Sequence, residues 1–310
     1  MLCAWFRNYF LCLSRKIVDH EESGMVGTRW KKVVRRCLGE MHRELKITFT
    51  PVPTGKRWVF IVGCYNSGTT LLSEILSTHP LISGLTTEGQ FLTDQFPSDH
   101  ILGLPRMWVR REDLYRLTEK DEGPDVARIK KEWGMRLDLS KTILLEKSPP
   151  NGARTRWLQK HFEDAHFIAI IRNPYAAIEG ISRKADPQHL KDGWPLQDCA
   201  RQWSRSNEVI EEDSHYLDRF MWTRYEDIVE KTTTELERIL RFIGIEERWD
   251  FDSQKLFAVH ERNEPIKNMN MQSLRRLSRE DLEIINGIAG KHINHFGYEV
   301  ISEPLLRVCS

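Results

Sequence analysis

The chain has 310 residues, 40% of them apolar and 29% charged, and a formal net charge of +1. That length holds one large α/β domain or two small ones, and the near-zero charge excludes a partner gripped by bulk electrostatics, such as nucleic acid. No run approaches the ~20 apolar residues of a membrane span.

The six cysteines, Cys3, Cys12, Cys37, Cys64, Cys199 and Cys309, are scattered without metal or redox spacing. A reduced, cytoplasmic compartment is the simpler expectation, with a disulfide between distant cysteines left open. The N-terminal stretch Met1–Leu13 is apolar and aromatic but broken by Arg7 and Asn8, and it lacks a small-residue cleavage site. Between Arg29 and Lys46, seven basic residues interleave with Trp30, Val33, Val34, Cys37, Leu38, Met41 and Leu45 at helical spacing. A basic amphipathic helix is expected there. It either packs on the domain with a solvated basic face or contacts an anionic membrane peripherally through residues 1–46. Pro51, Pro53 and Thr54-Gly55 mark the entry to the main domain.

Val59–Val62 reads as a buried strand, Gly63–Gly68 as a tight loop and Thr69–Thr78 as a helix carrying Leu71, Leu72, Ile75 and Leu76. Strand, glycine-bounded loop and helix together form a phosphate cradle, because the first helix amides have no internal partner and the helix dipole is positive there. Gly63 and Gly68 have P-loop spacing, yet Thr69 stands where a nucleotide triphosphatase needs lysine. After His79-Pro80, residues 81–141 look like an insertion over the catalytic face. Thr142–Leu145 is a second strand, ending in Glu146-Lys147-Ser148-Pro149-Pro150, and a helix is expected over Ala153–Phe162. His166–Ile171 is a third strand of continuous apolar character, suited to a parallel sheet covered on both faces. Arg172-Asn173-Pro174 follows it and opens a helix from Tyr175 to Lys184. Further expectations are a helix over Leu196–Tyr216, a strand over Phe220–Tyr225, a helix over Thr232–Ile243 and a helix capped by Ser278 running to Phe296. Alternating strands and helices argue a doubly wound, mainly parallel α/β domain over residues 51–300. An N-terminal extension (1–50) and a short tail (301–310) flank it, and the ligand is expected at the carboxyl ends of the strands.

Three strands thus end in a loop of amides, a lysine and an arginine, which is chemistry for an anion bearing several phosphate-like groups. The set resembles the sulfotransferases that use 3′-phosphoadenosine 5′-phosphosulfate. Ser67-Gly68-Thr69-Thr70 matches that family's 5′-phosphosulfate loop, and Arg172-Asn173-Pro174 the start of its 3′-phosphate motif. Glu146-Lys147-Ser148-Pro149 and Arg224-Tyr225-Glu226-Asp227 are further family-like stretches, so the resemblance covers roughly residues 57 to 300. Glu88, in Thr86-Thr87-Glu88-Gly89-Gln90, is placed like the catalytic glutamate of the tyrosylprotein branch. Pro265-Ile266-Lys267-Asn268 and Arg275-Arg276 are similar to that branch's C-terminal cofactor segment.

The chain departs from the family twice. Asn66 replaces the usual lysine or arginine before Ser-Gly-Thr-Thr, and an amide donates a hydrogen bond but no charge. Gly180 stands where the 3′-phosphate serine usually sits, with Ser182 two residues on. The resemblance implies Ser67, Gly68, Thr69 and Thr70 on the 5′-phosphosulfate, and Arg172, Ser182 and Arg276 on the 3′-phosphate. Glu88 is the implied general base, with Lys147 a candidate for the charge lost at Asn66. No metal is implied. The structural alternatives are a helix-capping role for Ser67, Thr69 and Thr70, a solvated Lys147, an ion-paired Arg172 and a surface Glu88. The expected reaction is sulfuryl transfer to a hydroxyl, on a glycan first and a protein tyrosine second. A degenerate P-loop kinase or hydrolase and a non-catalytic nucleotide binder are the alternatives.

Overall fold

The computed structural model describes residues 26–184, 193–247, 249–252, 256–259 and 262–305. Met1–Leu13, Cys3, Cys12 and Cys309 therefore lie outside the described residues. The chain divides into compact units at residues 1–50 and 51–310. In the first, α1 (Val26–Phe49) is the 24-residue helix that the basic amphipathic pattern predicts, with Arg36 paired to Glu40 one turn on at 2.9 Å. No helix among the described residues is long and apolar enough to cross a membrane.

The second unit is built on five parallel strands: β1 (Arg57–Gly63), β2 (Ile82–Gly84), β3 (Ile143–Lys147), β4 (His166–Ile171) and β5 (Phe220–Arg224), in spatial order β2-β3-β1-β4-β5. The central strands β1, β3 and β4 are largely apolar, with both faces covered. Side chains alternate between the faces. Val59 and Ile61 of β1, Ile143 and Leu145 of β3, and Ile168 and Ile170 of β4 fill one core with Leu72, Ile75 and Leu76 of α2 (Thr69–Leu76). Trp58, Phe60 and Val62, Leu144, and Phe167 and Ala169 fill the opposite core, against Trp133 and Trp157. A third cluster joins Tyr175, Ile178, Ala200, Trp203, Ile285 and Ala289 beyond the sheet edge. Trp203 is fully buried, and so serves as core.

Element boundaries differ from the sequence expectations where local chemistry intervenes. The segment after β3 is a 3-10 turn over Pro149–Ala153, and the helix starts only at Thr155, because Arg154 leaves helical geometry at φ −140°. Residues 81–141 are not wholly an insertion, since β2 pairs with β3 as an edge strand of the sheet. That segment also carries α3 (Glu112–Tyr115) and α4 (Val126–Gly134), the latter capped by Asp125. The helix after β3 is α5 (Thr155–His161). The helix after β4 is α6 (Pro174–Arg183), with Pro174 at its first position and Asn173 accepting from the Ala176 amide at 3.2 Å. It is followed by α7 (Leu196–Ser214), α8 (Tyr225–Glu230), α9 (Thr232–Phe242), the hairpin β6 (Phe257–Val259) and β7 (Arg262–Glu264), α10 (Asn270–Leu274) and α11 (Arg279–His295). A capping box between Ser278 and Asp281 opens α11.

The path runs β1 outward to β2, back to β3, then across β1 to β4. The direction of winding reverses at the end of β1, where an open α/β sheet leaves its ligand crevice. Gly63 ends β1 at that point. A Cβ there would lie 2.4 Å from the Ile170 carbonyl oxygen of β4, on a backbone at φ 153°. Gly63→Ala is expected to cost about 1–3 kcal/mol of stability through forced separation of the strands, read as a lowered denaturant midpoint. An unchanged midpoint would show that the strand ends are not closely packed there.

Candidate functional site

The loop between β1 and α2 turns twice through left-handed backbone, at Asn66 (φ 60°) and Gly68 (φ 97°). Asparagine tolerates that conformation better than most residues, and glycine is indifferent to it. At Gly68 a side chain is also excluded by contact, since a Cβ would lie 2.6 Å from the ring of Tyr225. Ser67 is fully buried, and its hydroxyl has no hydrogen-bond partner in the protein. Thr69 is buried and Thr70 half-buried at the first turn of α2. Neither Gly68, the residue before the helix, nor any other side chain caps α2, so its first amides stay open toward the crevice.

Glu88 and Lys147 are 59 positions apart and meet at the carboxyl end of β3, with Lys147 Nζ donating to Glu88 Oε1 at 3.1 Å. Both side chains are largely buried, so this is neither a solvated lysine nor a surface carboxylate. β3 and β1 are in parallel register with Lys147 beside Ile61, two residues before the loop. The following glycine fixes Glu88. The Gly89 amide donates to buried Glu146 at 2.9 Å, and Trp133 Nε1 donates to the Gly89 carbonyl at 3.0 Å. A Cβ on Gly89 would collide with the Trp133 indole at 2.7 Å. Gln90 Nε2 donates to the second Glu88 oxygen at 2.7 Å. Glu146 also accepts from the Ser148 hydroxyl and the Asn151 amide. Burial pushes its carboxyl up to about 7, against those donors.

At the end of β4, Arg172 sits with its guanidinium carbon 4.1 Å from the centroid of the Tyr225 ring and donates from Nε to Asn270 at 2.7 Å. Its Nη1 donates to the Asn66 carbonyl at 2.8 Å, which ties the 3′-phosphate candidate to the loop. Glu226 holds the surroundings by accepting from the Asn173 amide, from Asn270 and from the Tyr298 hydroxyl. Burial lowers the affinity of Arg172 for its proton, but an arginine remains charged. Ser182 and Arg276 come less directly to the site. The Ser182 hydroxyl donates to the Trp194 carbonyl at 2.6 Å. Arg276, half exposed, lies 3.7 Å from Glu179, which Arg183 also engages at 2.6 Å.

Two cations of this region escaped the sequence reading. Arg106 Nη1 donates to the Asn66 side-chain oxygen at 3.1 Å, across 40 residues of chain. Lys184, at the end of α6, is drawn down to about 8 by burial and then by the positive charges of Arg106, Arg183 and Arg172, with Glu179 opposing. No motif announces either residue. Arg106 lies in an irregular segment, and Lys184 ends a helix where a basic residue is ordinary.

Comparison with known proteins is consistent with this geometry. The pattern described as "Sulfotransferase family" matches residues 59–250, and that described as "Sulfotransferase domain" matches residues 198–304. A relative, protein-tyrosine sulfotransferase 1 of Danio rerio, is 27% identical over 200 residues, covering 60% of this chain. The match spans about half of that relative's length, 53%. The solved sulfotransferase STF1 of Mycobacterium tuberculosis shares the fold at TM-score 0.50 and 15% identity, over 82% of this chain and 81% of its own. The sulfotransferase domain of the curacin biosynthetic pathway is similar at TM-score 0.48 and 18% identity, over 79% of this chain and 99% of its own.

The lowered proton affinity of Lys184, which feels the charges of Arg106 and Arg172, predicts a pH dependence of anion binding here. Its depressed affinity for the proton means that it is charged below about 8 and neutral above. Phosphate groups, with a second pKa near 6, are already fully ionised over that interval. Affinity for adenosine 3′,5′-bisphosphate, measured by calorimetry, is expected to fall roughly tenfold between pH 7 and pH 9, the worth of one charge-assisted hydrogen bond. Lys184→Met should flatten that profile; a profile unchanged by the substitution would remove Lys184 from the site.

Proposed function

This chain belongs to the sulfotransferase family, and we propose that it transfers a sulfuryl group from 3′-phosphoadenosine 5′-phosphosulfate to a hydroxyl acceptor. The observation that carries the reading is the largely buried Glu88–Lys147 pair at the end of β3. It sets a carboxylate base and a cation beside a loop of open amides.

The residues present suit this donor substrate. The orphaned Ser67 hydroxyl, the open amides of α2 and the Thr69 and Thr70 side chains are free donors for a phosphosulfate. Arg172, held by Asn270 and the Asn66 carbonyl and set over the Tyr225 ring, supplies a fixed guanidinium charge for the 3′-phosphate. Ser182 and Arg276 take secondary roles, because the first is bonded to the Trp194 carbonyl and the second faces Glu179. Transfer without a terminal triphosphate needs no bridging magnesium and no Walker lysine, which fits Thr69 at that position. In the reaction, Glu88 takes the acceptor proton as the oxygen attacks sulfur. Lys147, 3.1 Å away, keeps the carboxylate oriented and offers a cation to the sulfuryl oxygens.

For the acceptor we put a glycan first and a protein tyrosine second. The relative from Danio rerio acts, by its name, on protein tyrosine and supports the second class. Donor consumption with a tyrosine peptide and with a glycan panel, run side by side, separates the two.

Glu88→Gln is expected to slow turnover about 10²–10⁴-fold while leaving affinity for the bisphosphate nucleotide nearly unchanged. Turnover close to wild type in that variant would remove Glu88 as the base. Arg172→Ala should weaken adenosine 3′,5′-bisphosphate roughly tenfold to a hundredfold and adenosine 5′-phosphate much less. Equal losses for the two ligands would refute the assignment of Arg172 to the 3′-phosphate.

A further inference from the structure

Position 66 poses a problem for the proposed chemistry. When the S–O bond to the donor breaks, its electron pair stays on the bridging oxygen, which becomes a phosphate oxygen. That developing charge calls for a cation, and Asn66 supplies none. A cation reaches this loop from another part of the chain. Arg106 lies in the irregular segment between β2 and α3, and its guanidinium reaches the loop to donate to Asn66 Oδ1 at 3.1 Å.

Several features show that this reach is built. Arg106 takes left-handed backbone, φ 64°, an arrangement unfavourable for arginine and kept only when the surroundings enforce it. Its amide is held by Asp99 Oδ2 at 3.0 Å, and the same oxygen accepts from the Tyr65 hydroxyl of the loop at 3.0 Å. Asp99 thus links the carrier segment to the loop beside Arg106's own contact. Trp194 Nε1 donates to the carbonyl of the preceding Pro105 at 2.7 Å, which anchors the segment from α7's side. Arg106 is largely withdrawn from water, yet it feels the negative charge of Glu88, so it lies within electrostatic range of the proposed base.

A second observation points the same way. The two positions at which the chain departs from the family pattern touch each other. A Cβ on Gly180 would stand 3.3 Å from Asn66 Cγ and 3.5 Å from Asn66 Nδ2, and that Nδ2 is buried without a partner. Asn66 is therefore wedged between Gly180 on one side and Arg106 on the other. Its only partnered side-chain atom is the oxygen facing Arg106.

We propose that Arg106 is a catalytic cation of this site, taking over from the segment after β2 the charge role that a basic residue at position 66 would fill, with Asn66 as the positioning residue that holds it. The proposal rests on the sulfotransferase reading. In the step concerned, the acceptor oxygen forms its bond to sulfur as the bond from sulfur to the bridging oxygen breaks. The acceptor proton passes to Glu88, and Arg106 balances the charge left on the departing phosphate.

The test uses the full chain and needs no identified acceptor. Hydrolysis of 3′-phosphoadenosine 5′-phosphosulfate, with water attacking sulfur, is followed beside calorimetry with adenosine 3′,5′-bisphosphate. Arg106→Gln, which keeps the stem and loses the charge, should slow hydrolysis about 10²–10³-fold. Arg106→Lys should lose less than tenfold. Asn66→Arg in the Arg106→Gln background should recover at least tenfold, a rescue that a purely structural Arg106 would not permit. If that double variant fails to fold, the contrast between the glutamine and lysine variants decides alone. Arg106→Gln hydrolysing within threefold of wild type, or a folded double variant no faster than Arg106→Gln, would overturn the role of Arg106. A wild-type protein that neither binds the bisphosphate nor consumes the donor would instead sink the sulfotransferase reading beneath it.

Discussion

The parallel pairing of β1 with β3 on one side and β4 on the other is the constraint on which the site depends. Register places Ile61 beside Lys147 and Gly63 beside Ile170. Parallel strands end on the same side, so the glycine loop, the lysine and Arg172 emerge on one edge although they are spread over more than a hundred residues. The pairing holds because both faces of the strands are buried. Trp58 and Phe60 pack on one core while Val59 and Ile61 pack on the other. A slip of one residue would exchange those two sets and move the polar ends with them.

Charge is the second organising force. Burial disfavours the charged forms of Arg172, Arg106 and Lys184, and it pushes Glu146, near Glu88 and Lys147, up to about 7. Buried like charges are costly unless something compensates, and their concentration at one strand edge is the mark of a site made to receive an anion. The protein groups present compensate in part. Glu226 secures Asn270 and Asn173 around Arg172, and Glu179 faces Arg183 and Arg276. Because Arg172 and Arg106 both bond Asn66, one at its carbonyl and the other at its side chain, that residue ties the two cations to a single loop. An asparagine at left-handed φ with both of its oxygens engaged is a better fit to this junction than a lysine or arginine, whose side chain offers no acceptor.

The base side of the site is arranged differently. Glu88 stands in a segment without regular structure, and its position is inherited from Gly89, clamped between Glu146 and Trp133. The Trp133 indole belongs to the same aromatic core as Trp58 and Phe60. The proposed base, on an irregular segment, is thereby positioned through two hydrogen bonds to its neighbour and a contact that admits no side chain.

By itself the sequence determined the four main strands, the longer helices flanking them and the loop, because apolar runs, glycines and helix caps act locally. His166–Ile171 begins and ends where its residues say it should, and Ser278 opens its helix with a capping box. The motifs Ser67-Gly68-Thr69-Thr70, Lys147 and Arg172 were legible for the same reason, since each sits at the end of a strand that announces itself. The tertiary structure alone decided that Glu88 pairs with Lys147, that Ser182 gives its hydroxyl to Trp194, that β2 joins the sheet, and that Arg106 comes to Asn66. Those contacts join segments with no shared periodicity, and a guanidinium brought 40 residues along the chain leaves no trace in local propensity. It depends on Asp99, Tyr65 and Trp194 holding its segment against the loop, and such a set of contacts exists only once the whole sheet is assembled.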